Sequence, residues 1–159
     1  MKLYVSRYGN PELRSGKFTT VRISIGTPKW DIGYKLDGEL KDLMPFGLLN
    51  KFEEYEPFRE EYFKKLDRLG PGRINQELKS LMSYGKDVVL LCYEDIRKGP
   101  SDWCHRTAFA EWMKERTGLI IPELYDPTTP KITAPPKKTE IIKPKPIFEI
   151  EPVIQLSLF

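Results

Sequence analysis

A chain of 159 residues is one domain plus some margin, since single domains typically run about 100–150 residues, and this argues against a two-domain enzyme. Hydrophobic residues at 40%, aromatics at 12% and charged residues at 31%, with a mean hydropathy of −0.47, supply a core and exclude a mainly disordered chain. The net charge of +3, from 26 basic and 23 acidic side chains, falls far short of the excess that would by itself announce nucleic-acid binding.

The longest apolar run, VVLLCY at 88–93, is well under the roughly 18 residues a membrane span needs, which predicts a chain that does not cross a membrane. MKLYVSRYGN at the start has no apolar core and no small-residue cleavage site, so a cytoplasmic location is expected. In that compartment the two cysteines read as free thiols or as part of a catalytic feature rather than as a disulfide framework.

In chain order, KLYVSRY (2–8) and KFTTVRISI (17–25) are rich in β-branched and aromatic residues and read as strands. A turn-rich stretch, 26–38, follows. PFREEYFKKLDRLG (57–70) sets Phe58, Tyr62, Phe63 and Leu66 at helical spacing and stops at Gly70-Pro71. GRINQELKSLMSYG (72–85) puts Ile74, Leu78, Leu81 and Met82 on one face, with Gly85 closing a second helix.

DVVLLCYE (87–94) is nearly continuous in apolar residues and suits a strand covered on both faces. PSDWCHRTAFAEWMKERTG (100–118) predicts a helix capped by Ser101 or Asp102, with Phe109, Trp112 and Met113 inward and Gly118 ending it. LIIPELY (119–125) reads as a last short strand. Strands alternating with helices predict an α/β domain with a small, partly parallel sheet flanked by helices.

Composition shifts near residue 126. Seven of the 14 prolines fall in residues 127–159, a stretch without glycine. Such proline density favours extended polyproline II, so residues 127–154 are expected to be a semi-stiff linker between a domain at 1–126 and a terminal peptide at 155–159.

Ligands in open α/β sheets bind beyond the carboxyl ends of the strands, and LLCYEDIRKGPSDWCHR occupies such a place. Cys92 and Glu94 are two apart on a strand and share a side, while Cys104, His105 and Arg106 fall at the start of the next helix. A thiol there meets the positive end of the helix dipole and ionises more easily. With the helix N–H groups, Arg106 would hold a phosphate or carboxylate, and Glu94 or His105 would move protons.

Plainer roles stay open for the same residues. Cys92 can be a small core residue, His105 a satisfied buried histidine on the face of Phe109 and Trp112, and Arg106 the partner of an acid such as Asp102. Neither cysteine has the histidine-cysteine pair and five-residue step to arginine of a thiol phosphatase. Zinc would take Cys92, Cys104 and His105 with a fourth ligand from Glu94 or water, but adjacent Cys104 and His105 chelate awkwardly and no Cys-x2-Cys pair exists.

SIGTPKW at 24–30, KDLMP at 41–45, EEYFKKLD at 60–67 and LLCYED…WCHRTAFAEW within 90–112 together resemble the domain of unknown function (DUF) family 488, in the same order over about residues 3–120. The resemblance implies a small α/β domain whose distinctive polar residues gather at one site. Its motifs carry over to Pro28 and Trp30 as a pocket, and to Cys92, Glu94, Cys104, His105 and Arg106. It supplies no reaction and leaves any cofactor unknown, and the tail is not part of that domain.

The chain ends Gln155-Leu156-Ser157-Leu158-Phe159, and QLSLF resembles the pentapeptide by which bacterial replication and repair proteins dock on the β sliding clamp. Leu158 and Phe159 are large apolar side chains that an extended polar tail cannot bury on itself, and Gln155 offers both a donor and an acceptor at a pocket rim. The plainer reading folds FEIEPVIQL (148–156) back as a final strand. The expected function is therefore a sliding-clamp-associated protein in DNA repair, replication or modification, reaching DNA through the clamp. Two alternatives stand beside it: a non-catalytic, phage-type clamp binder that inhibits replication, and a nucleotide-binding module with no clamp role.

Overall fold

The structure, a computed structural model, describes residues 1–82 and 85–132. The linker from residue 133 onward and the pentapeptide Gln155–Phe159 lie outside the described residues.

Four strands form one sheet in the order β1-β4-β2-β3, with β1 at Leu3–Arg7, β2 at Phe18–Arg22, β3 at Gly38–Glu39 and β4 at Asp87–Cys92. Every pairing is parallel, from Leu3 against Val88 to Arg7 against Cys92 on one side of β4, and from Phe18 against Asp87 to Arg22 against Leu91 on the other. The continuous apolar run of β4 is explained by this central position, because both of its faces are covered.

Val88 and Leu90 face the larger core, together with Leu3, Val5, Val21 and Ile23 and the three helices. Those helices are α1 (Tyr55–Leu69), α2 (Pro71–Met82) and α3 (His105–Thr117). Phe58, Tyr62, Phe63 and Leu66 of α1 and Ile74 and Leu78 of α2 are the buried residues that helical spacing selects. Val89 and Leu91 face the other side, which carries no helix of this length. Tyr8, Leu13 and the 32–36 segment cover it, helped by a 3₁₀ turn at Pro11–Ser15. Among the described residues, the three α-helices therefore flank one face only.

Polar contacts fix α3 along α1. Trp112 Nε1 donates to Asp67 Oδ1 at 2.8 Å, Arg116 Nε donates to the same oxygen at 2.9 Å, and Arg59 Nε donates to Glu111 at 2.6 Å. Gly118 ends α3 at φ +77°, its N–H bonding the Lys114 carbonyl at 3.0 Å, a left-handed position that glycine occupies without a Cβ penalty. Among the described residues no helix is long and apolar enough to cross a membrane.

Three expectations need correction. Residues 119–125 do not make a strand: Pro122 has no N–H to continue a ladder, and only the bridge Val5 to Glu123 forms. Neither Ser101 nor Asp102 caps α3. Asp102 N–H turns back to Gly99 O at 3.1 Å, and Cys104, extended at φ −141° and ψ 150°, is the residue immediately before the first helical residue, His105. The turn-rich 26–38 segment ends in β3, whose two residues are too short for any periodicity to show. The chain also stays attached past the compositional boundary, since Arg7 Nε donates to Asp126 at 2.7 Å and Arg97 Nη1 to the Thr128 carbonyl at 2.7 Å.

Candidate functional site

The centre of the sheet ends at Cys92, and α3 begins just past it, so the two sequence clusters converge at the carboxyl end of β4. Cys92 continues the Val88–Leu90 alternation and points to the helical face. From α3, His105 comes back over the sheet and places Nδ1 3.4 Å from Cys92 Sγ and 3.7 Å from Cys104 Sγ. Its other nitrogen, Nε2, lies 2.8 Å from the carbonyl oxygen of Ile23, just after β2. A carbonyl only accepts, so Nε2 carries the proton and Nδ1 is left as a lone pair facing both sulfurs. The Tyr62 ring packs on the imidazole in a T-shaped arrangement, with ring centroids 5.8 Å apart.

Glu94 completes the group, with Oε2 3.3 Å from Cys92 Sγ. Cys92, Cys104 and His105 are all buried, whereas Glu94 reaches solvent. Burial, and a hydrogen bond toward Cys104, push the Cys92 thiol well above its ordinary range. Burial works against ionising Cys104 as well, but the Cys92 S–H and the Arg106 charge, joined by the imidazole when both of its nitrogens carry protons, hold it well below. Cys104 is thus the first of the pair to ionise. The Glu94 carboxyl is raised by partial desolvation and by the neighbouring Cys104.

A cleft of about 280 Å³ opens onto Glu94, Cys104 and His105. Leu48, Phe52, Phe58 and Trp103 supply its apolar wall. Trp103 packs on Phe58 with ring centroids 4.8 Å apart, which makes that wall rigid. The cleft thus sets an apolar wall against a comparably large polar side that includes Glu94, Asp102 and His105, a form that a small molecule with both ring and polar groups would fit.

Arg106 is placed differently from its reading as an anion holder. Its side chain is 1% exposed, and Nε donates to Glu123 Oε1 at 2.7 Å, so it is committed to the 119–125 segment and does not line the cleft. Pro28 and Trp30 do not line the cleft either. Trp30 is half exposed and tilts against Tyr93 at 6.0 Å, on the sheet face opposite α3. Sequence reasoning had no access to the Ile23 carbonyl, Tyr62 or Glu123. The first is a backbone atom, the second reads as an ordinary core aromatic, and the third stands 17 residues from its partner.

No protein-family model, no curated protein and no solved structure matches this chain.

Proposed function

We propose that this protein works on DNA at the bacterial sliding clamp, in repair, replication or modification, docked by Gln155–Phe159 while the folded domain presents the Glu94, Cys104 and His105 cleft to its substrate. The observation that carries this reading is QLSLF behind a proline-rich spacer. Burying Leu158 and Phe159 is worth about 3–6 kcal/mol before ordering costs, the scale of an exchangeable peptide contact. The 28 residues of the linker 127–154, at ~3.1 Å each, span up to about 87 Å, so the domain can reach DNA beside the ring while the peptide stays seated. Tethering raises the local concentration to roughly millimolar, which explains how a chain of net charge only +3 would work on DNA.

The cleft supports a reacting or reading role for that domain. Cys104, His105 and Glu94 bring a thiol, an oriented imidazole and a carboxylate to one cleft, with the Cys92 thiol buried behind them, while Arg106 holds the start of α3 against Glu123. The likeness to family 488 is compatible with this and supplies no reaction.

The test is mass analysis of clamp-loaded DNA after incubation with the full chain. A change in the DNA that disappears both in a chain ending at residue 154 and in a Cys104→Ser/His105→Gln variant supports the proposal. Inhibition of clamp-dependent synthesis that the double variant retains in full would instead show a competitor for the clamp. A nucleotide bound with no clamp contact would show a sensing module.

A further inference from the structure

Cys92, Cys104 and His105 place one ligand atom each within 4.8 Å of one another. With Zn–S near 2.3 Å and Zn–N near 2.0–2.1 Å, a tetrahedral centre needs its ligand atoms about 3.5–3.8 Å apart. His105 Nδ1 stands 3.4 Å from one sulfur and 3.7 Å from the other, and the two sulfurs lie within 4.8 Å of each other, so a metal ion would fit once the sulfurs close by up to about 1 Å.

The objection from sequence was that adjacent Cys104 and His105 chelate awkwardly. At this position the objection fails, because Cys104 is extended and His105 is the first helical residue. The bend between the two conformations brings side chains together that would diverge on a strand or a helix. His105 also has the outer support that metal-bound histidine requires: Nε2–H donates to the Ile23 carbonyl and leaves Nδ1 free to ligate.

We propose that Cys92 Sγ, Cys104 Sγ and His105 Nδ1 bind one Zn²⁺ ion, with a water in the fourth position facing Glu94 and the cleft. Two thiolates and one imidazole form a donor set that borderline-soft Zn²⁺ favours over Mg²⁺ or Ca²⁺. Three protein ligands with one open position are the pattern of a catalytic rather than a structural zinc site. Zinc-bound water loses its proton near neutral pH. Glu94 would accept that proton, and the class of reaction is hydrolysis at an electrophilic carbon: the hydroxide oxygen bonds to the carbon, the bond from that carbon to its leaving group breaks, and the leaving group departs with the proton Glu94 took up. The flat aromatic wall of Phe52, Phe58 and Trp103 suits a planar ring. Metal binding itself does not depend on the clamp reading, and each can fail alone.

The test uses the full chain, reduced and stripped with a chelator. Zn²⁺ is titrated in competition with a chromophoric chelator, and Co²⁺ by absorbance. One ion per chain is expected, and the Co²⁺ form should show a thiolate charge-transfer band with tetrahedral d–d bands. Cys92→Ser and Cys104→Ser should each weaken binding beyond the 10–100-fold loss typical of an outer partner, while Trp30→Ala leaves it unchanged. Zn²⁺ at a thousandfold excess over Kd should raise Tm by roughly 10 °C in the native chain and not in Cys104→Ser.

If the serine variants do not fold, the native chain still decides the matter. Zn²⁺ should protect Cys92 and Cys104 from alkylation, read by peptide mass. Fewer than about one ion per ten chains, a Co²⁺ spectrum without a thiolate band, or alkylation that ignores Zn²⁺ would each overturn the proposal. Loss of clamp binding would leave this result untouched.

Discussion

Truncating Glu123 to alanine tests the role the structure gives Arg106. The Arg106 side chain is 1% exposed and Glu123 takes hydrogen bonds from Nε at 2.7 Å and Nη2 at 3.5 Å, while Nη1 has no hydrogen-bond partner among the described residues. Removing the carboxylate strands a buried charge, and breaking a fully buried pair this way costs about 3–5 kcal/mol. Glu123 is 37% exposed, so water can enter the space left behind and the loss comes down to about 2–3 kcal/mol. For a chain of this size that is a fall in Tm of about 6–12 °C.

Thermal unfolding and urea unfolding with an unchanged m-value would measure it. Glu123→Gln keeps an acceptor and should lose about half as much. Arg106→Met with Glu123→Leu removes both charges and should recover most of the stability. A Glu123→Ala loss below about 0.5 kcal/mol, combined with stabilisation of that variant by added phosphate, would refute this account. It would restore Arg106 as an anion-binding group.

Three further outcomes are expected away from the cleft. Burial and the nearby Asp42 carboxylate push Glu77 up to about 7, above its unfolded value near 4.3, so the fold favours its neutral form. Stability from this group is fully present below about pH 4.3 and is lost as pH rises through 7, so Tm should fall between pH 5 and 8 in the native chain and much less in Glu77→Gln. Parallel curves for the two proteins would contradict it. Gly118→Ala places a Cβ at φ +77° where no neighbouring atom lies within 4 Å, so the cost is backbone strain alone, about 1 kcal/mol by urea unfolding. A chain ending at residue 154 should unfold at the same temperature as the full chain, and a drop of several degrees would show that the tail packs as a strand.

The elements that periodicity could reveal were legible because burial imposed it. Phe58, Tyr62 and Leu66 on α1 and Phe109, Trp112 and Met113 on α3 face one core, and β4 lost its alternation because it is buried on both faces. Gly70 and Gly118 marked helix ends through their positive φ angles. The start of α3 was misread because Ser101 and Asp102 have the chemistry of caps, whereas the backbone turns at Gly99–Asp102 and begins the helix at His105. The site was legible as a list of residues, since both clusters flank the end of one buried strand. Its geometry was not, because the Ile23 carbonyl and the Arg106–Glu123 pair depend on contacts between distant segments. Zinc looked disfavoured for the same reason: spacing along the chain says nothing of the bend between Cys104 and His105.

The most direct measurement is a calorimetric titration of purified bacterial sliding clamp with the full chain and with the chain lacking residues 155–159. Saturable binding by the full chain, lost entirely with those five residues, is the predicted result. Absence of binding by either protein, or equal binding by both, would contradict docking by Gln155–Phe159 and with it the proposal that this domain works at the clamp.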